Sequence, residues 1–339
     1  MAKQKEDITP DSERKRPDFV DNPSEHHPAE NAENAENAFA RTESRRRKMA
    51  SLITPLAPNT GYTQSALADV RFLRSDIPLD QTPVLYEPSI VIVCQGRKRG
   101  FLGDEEFVYD AQHCLVVAVP LPFISQTEAS VAEPMLAVAL RLDFKMLAEL
   151  LLTLKSPIQR HKPVSMLSSP MDEALGDSVI RLLEVLHSPQ DAQVLGAGLL
   201  REIYYRVLIG EQGATLRAAL GQQGYFAQIA RALHILQNRF TEHLEVADLA
   251  SEVGMSVATF HAHFKTVTQS SPIQYLKSTR LHHARLMMIR GGMSAAAASA
   301  EVGYESPSQF SREFKRFFGR SPVQEALHMK EILRLEPAM

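Results

Sequence analysis

The stretch Glu252-Val253-Gly254-Met255-Ser256-Val257-Ala258-Thr259-Phe260, followed by Phe264-Lys265 and Ser271-Pro272, returns as Glu301-Val302-Gly303-Tyr304-Glu305-Ser306-Pro307-Ser308-Gln309-Phe310, Phe314-Lys315 and Ser321-Pro322. The two copies are 49 residues apart at Gly254/Gly303 and 50 apart from Phe260/Phe310 onward, so the second copy carries one extra residue in its turn. A repeat of this length marks two copies of one small helical unit. Each copy predicts a short helix, a glycine turn and a capped second helix with polar residues on its outer face. That is the layout of a helix-turn-helix, whose second helix enters the major groove of DNA.

The side chains of the second helices fit that role. In the later unit Ser306 is a good N-cap and Pro307 suits the first helical position. Phe310, Phe314, Phe317 and Phe318 fall on one apolar stripe that must face a core. The opposite face carries Ser308, Ser311, Arg312, Lys315 and Arg316, with Gln309 at its flank. Arg312 can pair with guanine and Gln309 with adenine, while hydroxyls and cations grip phosphates. In the earlier unit Ser256 caps the helix and Phe260, Phe264 and Val267 form the stripe, leaving Ala258, Thr259, His261, Ala262 and Lys265 outward. That face has fewer donors, so shape and thymine-methyl contacts weigh more there. One such unit alone reads equally well as a surface helix of a bundle, and the shared landmarks of two units favour DNA. Pro272 to Arg290 predicts a long connecting helix ending at Gly291-Gly292. A rigid connector sets the two recognition helices one turn of duplex apart, in successive major grooves.

The 339 residues allow two domains with real cores. The formal charge of −3 says little about nucleic acid, but its distribution is uneven. From Gly221 onward there are 13 Lys/Arg against 10 Asp/Glu, whereas the rest of the chain has 24 against 30. The C-terminal third is mildly basic, well short of a basic patch. The only cysteines, Cys94 and Cys114, lack zinc spacing, and no signal peptide or spanning apolar run stands out. A reduced, cytoplasmic protein is expected.

Residues 1–48 are polar and contain the low-complexity run Asn31-Ala32-Glu33-Asn34-Ala35-Glu36-Asn37-Ala38, so a disordered extension is expected there. Arg45-Arg46-Arg47-Lys48 reads as a solvated charge run, with DNA contact as the alternative. Met49 is an alternative start, and a chain beginning there is expected to melt at the same temperature as the full chain. Residues 49–210 form the second region. Ile90-Val91-Ile92-Val93-Cys94, Arg97 to Leu102, Glu106 to Tyr109, Leu115 to Val119 and Met135 to Leu142 predict short strands split by Gly and Pro, hence a small β-barrel or sandwich. Helices follow at Phe144–Leu154, Met171–Leu186 and Val194–Leu208, the last two divided at Ser188-Pro189. Their apolar positions, among them Leu175, Val179, Leu182, Leu183 and Leu186, suit core packing and a dimer interface equally. Residues 211–224 read as a Gly/Gln-rich linker and 225–330 as the double helix-turn-helix domain.

The stretch from Ile229 to Ala326 resembles the DNA-binding domain of AraC/XylS-type bacterial transcription regulators. The resemblance lies in Leu249-Ala250-x-x-Val253-Gly254-x-Ser256, Phe264-Lys265, Ser271-Pro272-x-x-Tyr275-Leu276, Arg280-Leu281-x-x-Ala284-Arg285, Val302-Gly303-Tyr304-x-Ser306, Phe310-Ser311-Arg312-x-Phe314-Lys315 and Gly319-x-Ser321-Pro322. It implies a seven-helix bihelical unit on promoter DNA, with base contacts from Ala258, Thr259, His261, Ala262 and Lys265 and from Pro307, Ser308, Gln309, Ser311 and Arg312; Lys315 joins them as a contact to the duplex. RNA polymerase is an implied partner. One departure is the alanine-rich run Ser294 to Ala300, which keeps helix propensity but loses packing volume, so a looser second unit is expected.

The N-terminal half looks like the cupin-type barrel of one branch of that family, on Pro83-x-Leu85-x-x-Pro88-Ser89-Ile90-x-x-Val93-x-Gln95-Gly96 and on Leu199 to Leu208. The fold class expected is therefore α+β and multidomain: a cupin-like β-barrel with flanking helices, then an all-α domain. Such domains bind a small-molecule effector or make a homodimer. Arg97, Tyr109 and His113 are the effector-binding candidates, although strand alternation leaves their facing open. His113 is the only histidine of the strand region, so neither a metal site nor a cofactor is expected. Cys94 and Cys114 read as inert core thiols, with redox or electrophile sensing the alternative. An enzyme fused to a DNA-binding module, such as an alkyl-transfer repair protein, would need a reactive cysteine in a basic motif or a zinc cluster. A protein-binding repeat is the third class, separable by salt-dependent DNA binding.

Overall fold

The computed structural model describes residues 28–154, 162–221 and 224–333. The chain divides into a short unit ending at Arg41 and a large one running from Thr42. Of the short unit, the part from Pro28 on is the beginning of helix α1, Pro28–Leu56. The extension expected to be disordered to residue 48 is thus helical from Pro28, while residues 1–27 lie outside the described residues. Alanine and glutamate are strong helix formers, and the repeated Asn-Ala-Glu run alternates them.

The basic run after it belongs to the large unit; Arg47 and Lys48 are exposed, as a solvated run would be, but three of its four cations are paired. Arg45 donates to Glu173 at 2.9 Å and to Asp177 at 3.2 Å, Arg46 pairs with Glu43, and Lys48 pairs with Glu184. The Arg45 side chain is only 13% exposed and lies over Gly176, where an added Cβ would strike its stem. Met49 and Ile53 then enter the core. A chain starting at Met49 loses these pairs and uncovers Gly176. Its melting temperature is expected to fall by about 2–4 °C, the effect of roughly 1 kcal/mol in a domain of this size, as a thermal scan of both chains will check.

Ten strands follow: β1 Gly61–Gln64, β2 Val70–Ser75, β3 Leu79–Tyr86, β4 Ser89–Gln95, β5 Arg97–Leu102, β6 Glu105–Asp110, β7 His113–Val117, β8 Leu121–Glu128, β9 Met135–Arg141 and, after α2 (Phe144–Thr153), β10 Met166–Pro170. They form two sheets rather than one closed cylinder: β1-β2-β9-β4-β7-β10 and β3-β8-β5-β6. The α+β class holds, and the expected cupin-like barrel is open along its edges. Strand alternation explains the unbroken apolar runs. Ile90, Ile92 and Cys94 of β4 point to one core and Val91 and Val93 to another. The same division separates Cys114 and Val116 from Leu115 and Val117 on β7. The six-stranded sheet is buried on both faces, with the second sheet on one side and helices on the other.

Those helices are α1, α2, α3 (Glu173–Val185), α4 (Pro189–Ile209) and α5 (Gly213–Leu220). Asp143, Asp172 and Ser188 cap α2, α3 and α4 by accepting backbone N–H bonds. Leu175, Val179, Leu182, Leu183 and Leu186 are all buried in this core, which settles the packing role of that stripe. Helix α5 corrects the expected linker at 211–224. Gly213 packs against the Leu208 carbonyl so closely that a side chain there would collide, and Leu216 is fully buried.

The remaining helices are α6 Tyr225–Asn238, α7 Val246–Glu252, α8 Val257–Thr268, α9 Pro272–Arg290, α10 Ala295–Glu301, α11 Pro307–Phe318 and α12 Pro322–Ile332. Each from α8 to α12 opens on a serine cap, namely Ser256, Ser271, Ser294, Ser306 and Ser321. Two cores result, one around Phe260, Phe264 and Tyr275 and one around Phe310, Phe314 and Phe318. The alanines of α10 supply little volume to the second, and Phe240, Phe317 and Tyr304 fill in from elsewhere.

Candidate nucleic-acid interface

The repeat seen in the sequence is reproduced bond for bond. Gly254 and Met255 N–H donate to Ser251 and Ala250, and Gly303 and Tyr304 N–H donate to Ala300 and Ser299, all at 2.9–3.0 Å. Both glycines have positive φ, +71° and +80°, as this turn requires. At Gly303 a Cβ would also collide with the Thr241 carbonyl. These turns aim α8 and α11.

Phe260, Phe264 and Val267 of α8 are buried, and Ala258, Thr259, His261, Ala262 and Lys265 are all exposed. In α11 Phe310, Phe314 and Phe318 are buried, and Pro307, Ser308, Gln309, Ser311, Arg312 and Lys315 are all exposed. The Thr259 hydroxyl is engaged with the Ser256 cap at 2.8 Å. Among the described residues, none of Lys265, Arg312, Lys315 and Arg316 pairs with a carboxylate within 4.0 Å. Unpaired cations beside hydroxyls and an amide suit a polyanion with readable base edges.

Helix α9 is the pillar between the units. Tyr275 joins the first core; Leu281, Ala284 and Met288 join the second. Two of its arginines point away from any ligand. Arg280 donates to the carbonyls of Phe240 (2.6 Å), Glu242 (2.8 Å) and Gly303 (3.2 Å), tying the end of the first unit to the turn of the second. Arg285 is buried against Glu325 and lies 4.5 Å over the Phe318 ring. Both arginines stand in the motifs that carry the family resemblance, and helical position alone does not say that they face inward.

The N-terminal domain docks on this assembly. Val119 enters the first helical core, and Tyr275 Oη donates to the Pro120 carbonyl at 3.0 Å. Strands β3 and β8 pack on α9, and β3 also meets α11. They leave a cleft of about 450 Å³ lined by Phe101, Ile124, Lys277, Glu313, Arg316 and Phe317, among others.

Of the effector candidates, only Tyr109 faces between the sheets, where it is fully buried. Arg97 faces out toward Asp110 and Glu128, and His113 sits outside on Asp110 at 2.9 Å. The residue missed is Lys98, one step from Arg97 and so on the opposite face. It is 5% exposed and donates to Thr127 Oγ1 at 3.0 Å. Burial pushes its pKa down, and Tyr62 bears on it in the opposite direction. Tyr109, directly across from Lys98 on β6, and Ser125 lie nearby, and their hydroxyls and that of Tyr86 bear on one another. A buried ammonium among hydroxyls, paired with no carboxylate of the described residues, is a polar site inside an apolar sandwich. Both thiols are buried. Burial pushes Cys94 up to about 12 and raises Cys114 as well, which favours inert core thiols over sensors.

Residues 66–215 match the profile for the AraC-type transcriptional regulator N-terminus, and residues 249–325 match a helix-turn-helix domain profile. The chain belongs to the AraC-type transcriptional regulators. It is 27% identical over 177 residues to the virulence regulon transcriptional activator VirF of Yersinia enterocolitica, covering 52% of this chain and 65% of VirF. It is 30% identical over 137 residues to the transcriptional activator RhaS of Yersinia pestis (strain Pestoides F), covering 40% of this chain and 49% of RhaS. The matches thus span about half to two-thirds of these relatives. The apo form of a ToxT variant from Vibrio cholerae, with one lysine replaced by alanine, superposes with a TM-score of 0.55 at 11% identity, over 79% of this chain and 98% of ToxT. Unsaturated-fatty-acid-bound wild-type ToxT gives 0.53 at 13%, over 76% and 95%. No helix among the described residues is long and apolar enough to cross a membrane.

Proposed function

We propose that this AraC-type chain is a sequence-specific, non-enzymatic transcription regulator that lays α8 and α11 in successive major grooves of promoter DNA. The observation that carries it is the pair of equivalent, outward polar faces, their cations unpaired among the described residues, on helices held by one shared pillar. Its relatives VirF and RhaS are named as activators, which supports activation, with RNA polymerase as partner, in the cytoplasm. The reading gives the N-terminal domain two tasks. One is to take a small-molecule effector between its sheets, near Lys98 and Tyr109; ToxT, of similar fold, has been seen with an unsaturated fatty acid. The other is homodimerisation. With the α3 stripe used in the core, the face left is on α4, where Val194, Leu195, Tyr205 and Ile209 are exposed along one side.

Footprinting the full chain on a selected promoter tests this. Protection of two adjacent major grooves per subunit is expected, and two such sites for a dimer. Arg312→Ala should weaken specific binding by about 1–3 kcal/mol and relax one base position, because a guanidinium on a guanine is the commonest specific contact. Unchanged affinity and base profile in the variant would remove Arg312 as a reader. Binding indifferent to both salt and sequence would favour a protein-binding repeat instead.

A further inference from the structure

Gln309, on the outward side of α11, makes a side-chain hydrogen bond: its Nε2 donates to Glu313 Oε1 at 3.2 Å. The same oxygen accepts from Lys277 Nζ of α9 at 2.8 Å, and Glu313 Oε2 accepts from Tyr304 Oη in the turn at 2.9 Å. One carboxylate, 13% exposed, is thus held by donors from the pillar, the turn and the recognition helix. Burial alone would raise its pKa, but the bonds from Lys277, Gln309 and Tyr304 outweigh it, so the group is held below its ordinary value and charged.

A glutamine amide has one acceptor oxygen and two N–H donors, and free in solution it can present them in either order. An ionised carboxylate only accepts, so it must face the amide nitrogen. One N–H goes to Glu313. The other N–H and the oxygen are left outward, and adenine N7 and N6–H₂ take just such a pair. We propose that Glu313, held by Lys277 and Tyr304, is a positioning residue that fixes the amide orientation of Gln309 and so sets the preference at one base pair without touching DNA. Lys277 also cancels a negative charge that would otherwise stand close to the phosphates. This rests on α11 being a DNA-reading helix.

The test is a binding profile of the full chain on duplexes carrying every single-base change of a selected site. The variants are Gln309→Ala, Glu313→Ala, Tyr304→Phe and the double variant Gln309→Ala/Glu313→Ala. Gln309→Ala is expected to flatten the preference at one base pair. Glu313→Ala should flatten that same pair by about fivefold or more, a fraction of a bidentate contact, with the other positions unchanged. In the double variant Glu313→Ala should add nothing, because the two residues act through one contact. Tyr304→Phe removes a single oxygen and should act in the same direction, which carries the test if Glu313→Ala folds poorly. An equal loss on all duplexes, an unchanged profile, or additivity with Gln309→Ala would overturn the proposal. If Gln309→Ala alters its base pair while Glu313→Ala and Tyr304→Phe do not, only this inference falls. If the unmodified chain fails to discriminate among duplexes, the DNA reading falls with it.

Discussion

Glu325→Ala is expected to destabilise the second helix-turn-helix unit by about 3–5 kcal/mol, the usual result of removing one partner of a buried ion pair. Glu325 is 2% exposed in the first turn of α12. It accepts from Arg285 of α9 at 3.3 Å and from Arg320, just past α11, at 3.4 Å. Arg285 is 8% exposed, and its Nε has no partner among the described residues. Without Glu325 that guanidinium keeps its contact over Phe318 but loses its counter-charge in a site water does not reach. The pair itself adds little net stability, since desolvating both charges offsets most of their attraction. The double variant Arg285→Met/Glu325→Leu should therefore recover much of what the single variant loses. Urea unfolding of the three chains decides it, and a single variant as stable as the parent would show that the site can hydrate. Function follows the same path. Helix α11 packs on α12 and shares its core with Leu281, Ala284 and Met288 of α9, so contacts at the second major groove should be lost from the footprint first, with those of α8 surviving.

Much of this architecture was legible because it depends on local rules. Serine caps, Ser-Pro starts, glycine turns and phenylalanine stripes fix α8 and α11 and their outward faces, and each rule acts within a few residues. Facing in the N-terminal sheets was not legible, because one step of register exchanges inside for outside. Arg97 attracted attention as the candidate cation, yet it is Lys98 that turns inward. Arg45 illustrates another limit. A basic run in a polar segment reads as solvated until Glu173 and Asp177, about 130 residues later in the sequence, are seen to meet it. The partners that hold Glu313 likewise come from three elements, and no spacing rule joins Lys277 to Tyr304. Helix α5 reads as a link because glycines flank it on both sides, whereas Gly213 serves close packing against α4.

The second large effect expected is on pH dependence, and it arises in the pillar. His282 is 3% exposed, with its ring edge-on to Phe317 and Phe318 at 5.4 and 5.3 Å, and its Nε2 has no partner among the described residues. Burial lowers its pKa well below the ordinary histidine value, and the charges of Arg285 and His283 lower it further. His283, stacked on Phe240 at 4.1 Å, is lowered by burial too, with Glu87 pulling the other way. In the unfolded chain both histidines bind a proton near pH 6.5, whereas the folded chain binds it only at lower pH. Stability contributed by the neutral rings is therefore complete above about pH 6.5 and is lost as pH falls from there toward the folded values. For His282 alone the loss between pH 7.5 and 5.5 should be about 1.4 kcal/mol, the free energy of one pKa unit. His282→Leu keeps the site apolar and removes the titration. Urea unfolding of parent and variant at both pH values should show the parent losing more by that amount. Equal losses would mean that His282 does not titrate on unfolding, and that the ring already finds a proton or a water inside the fold. Because α9 joins both units, the parent should also release DNA at pH 5.5 more readily than His282→Leu does. That comparison separates unfolding of the pillar from a direct effect of pH on the DNA-facing side of α8, which both chains retain.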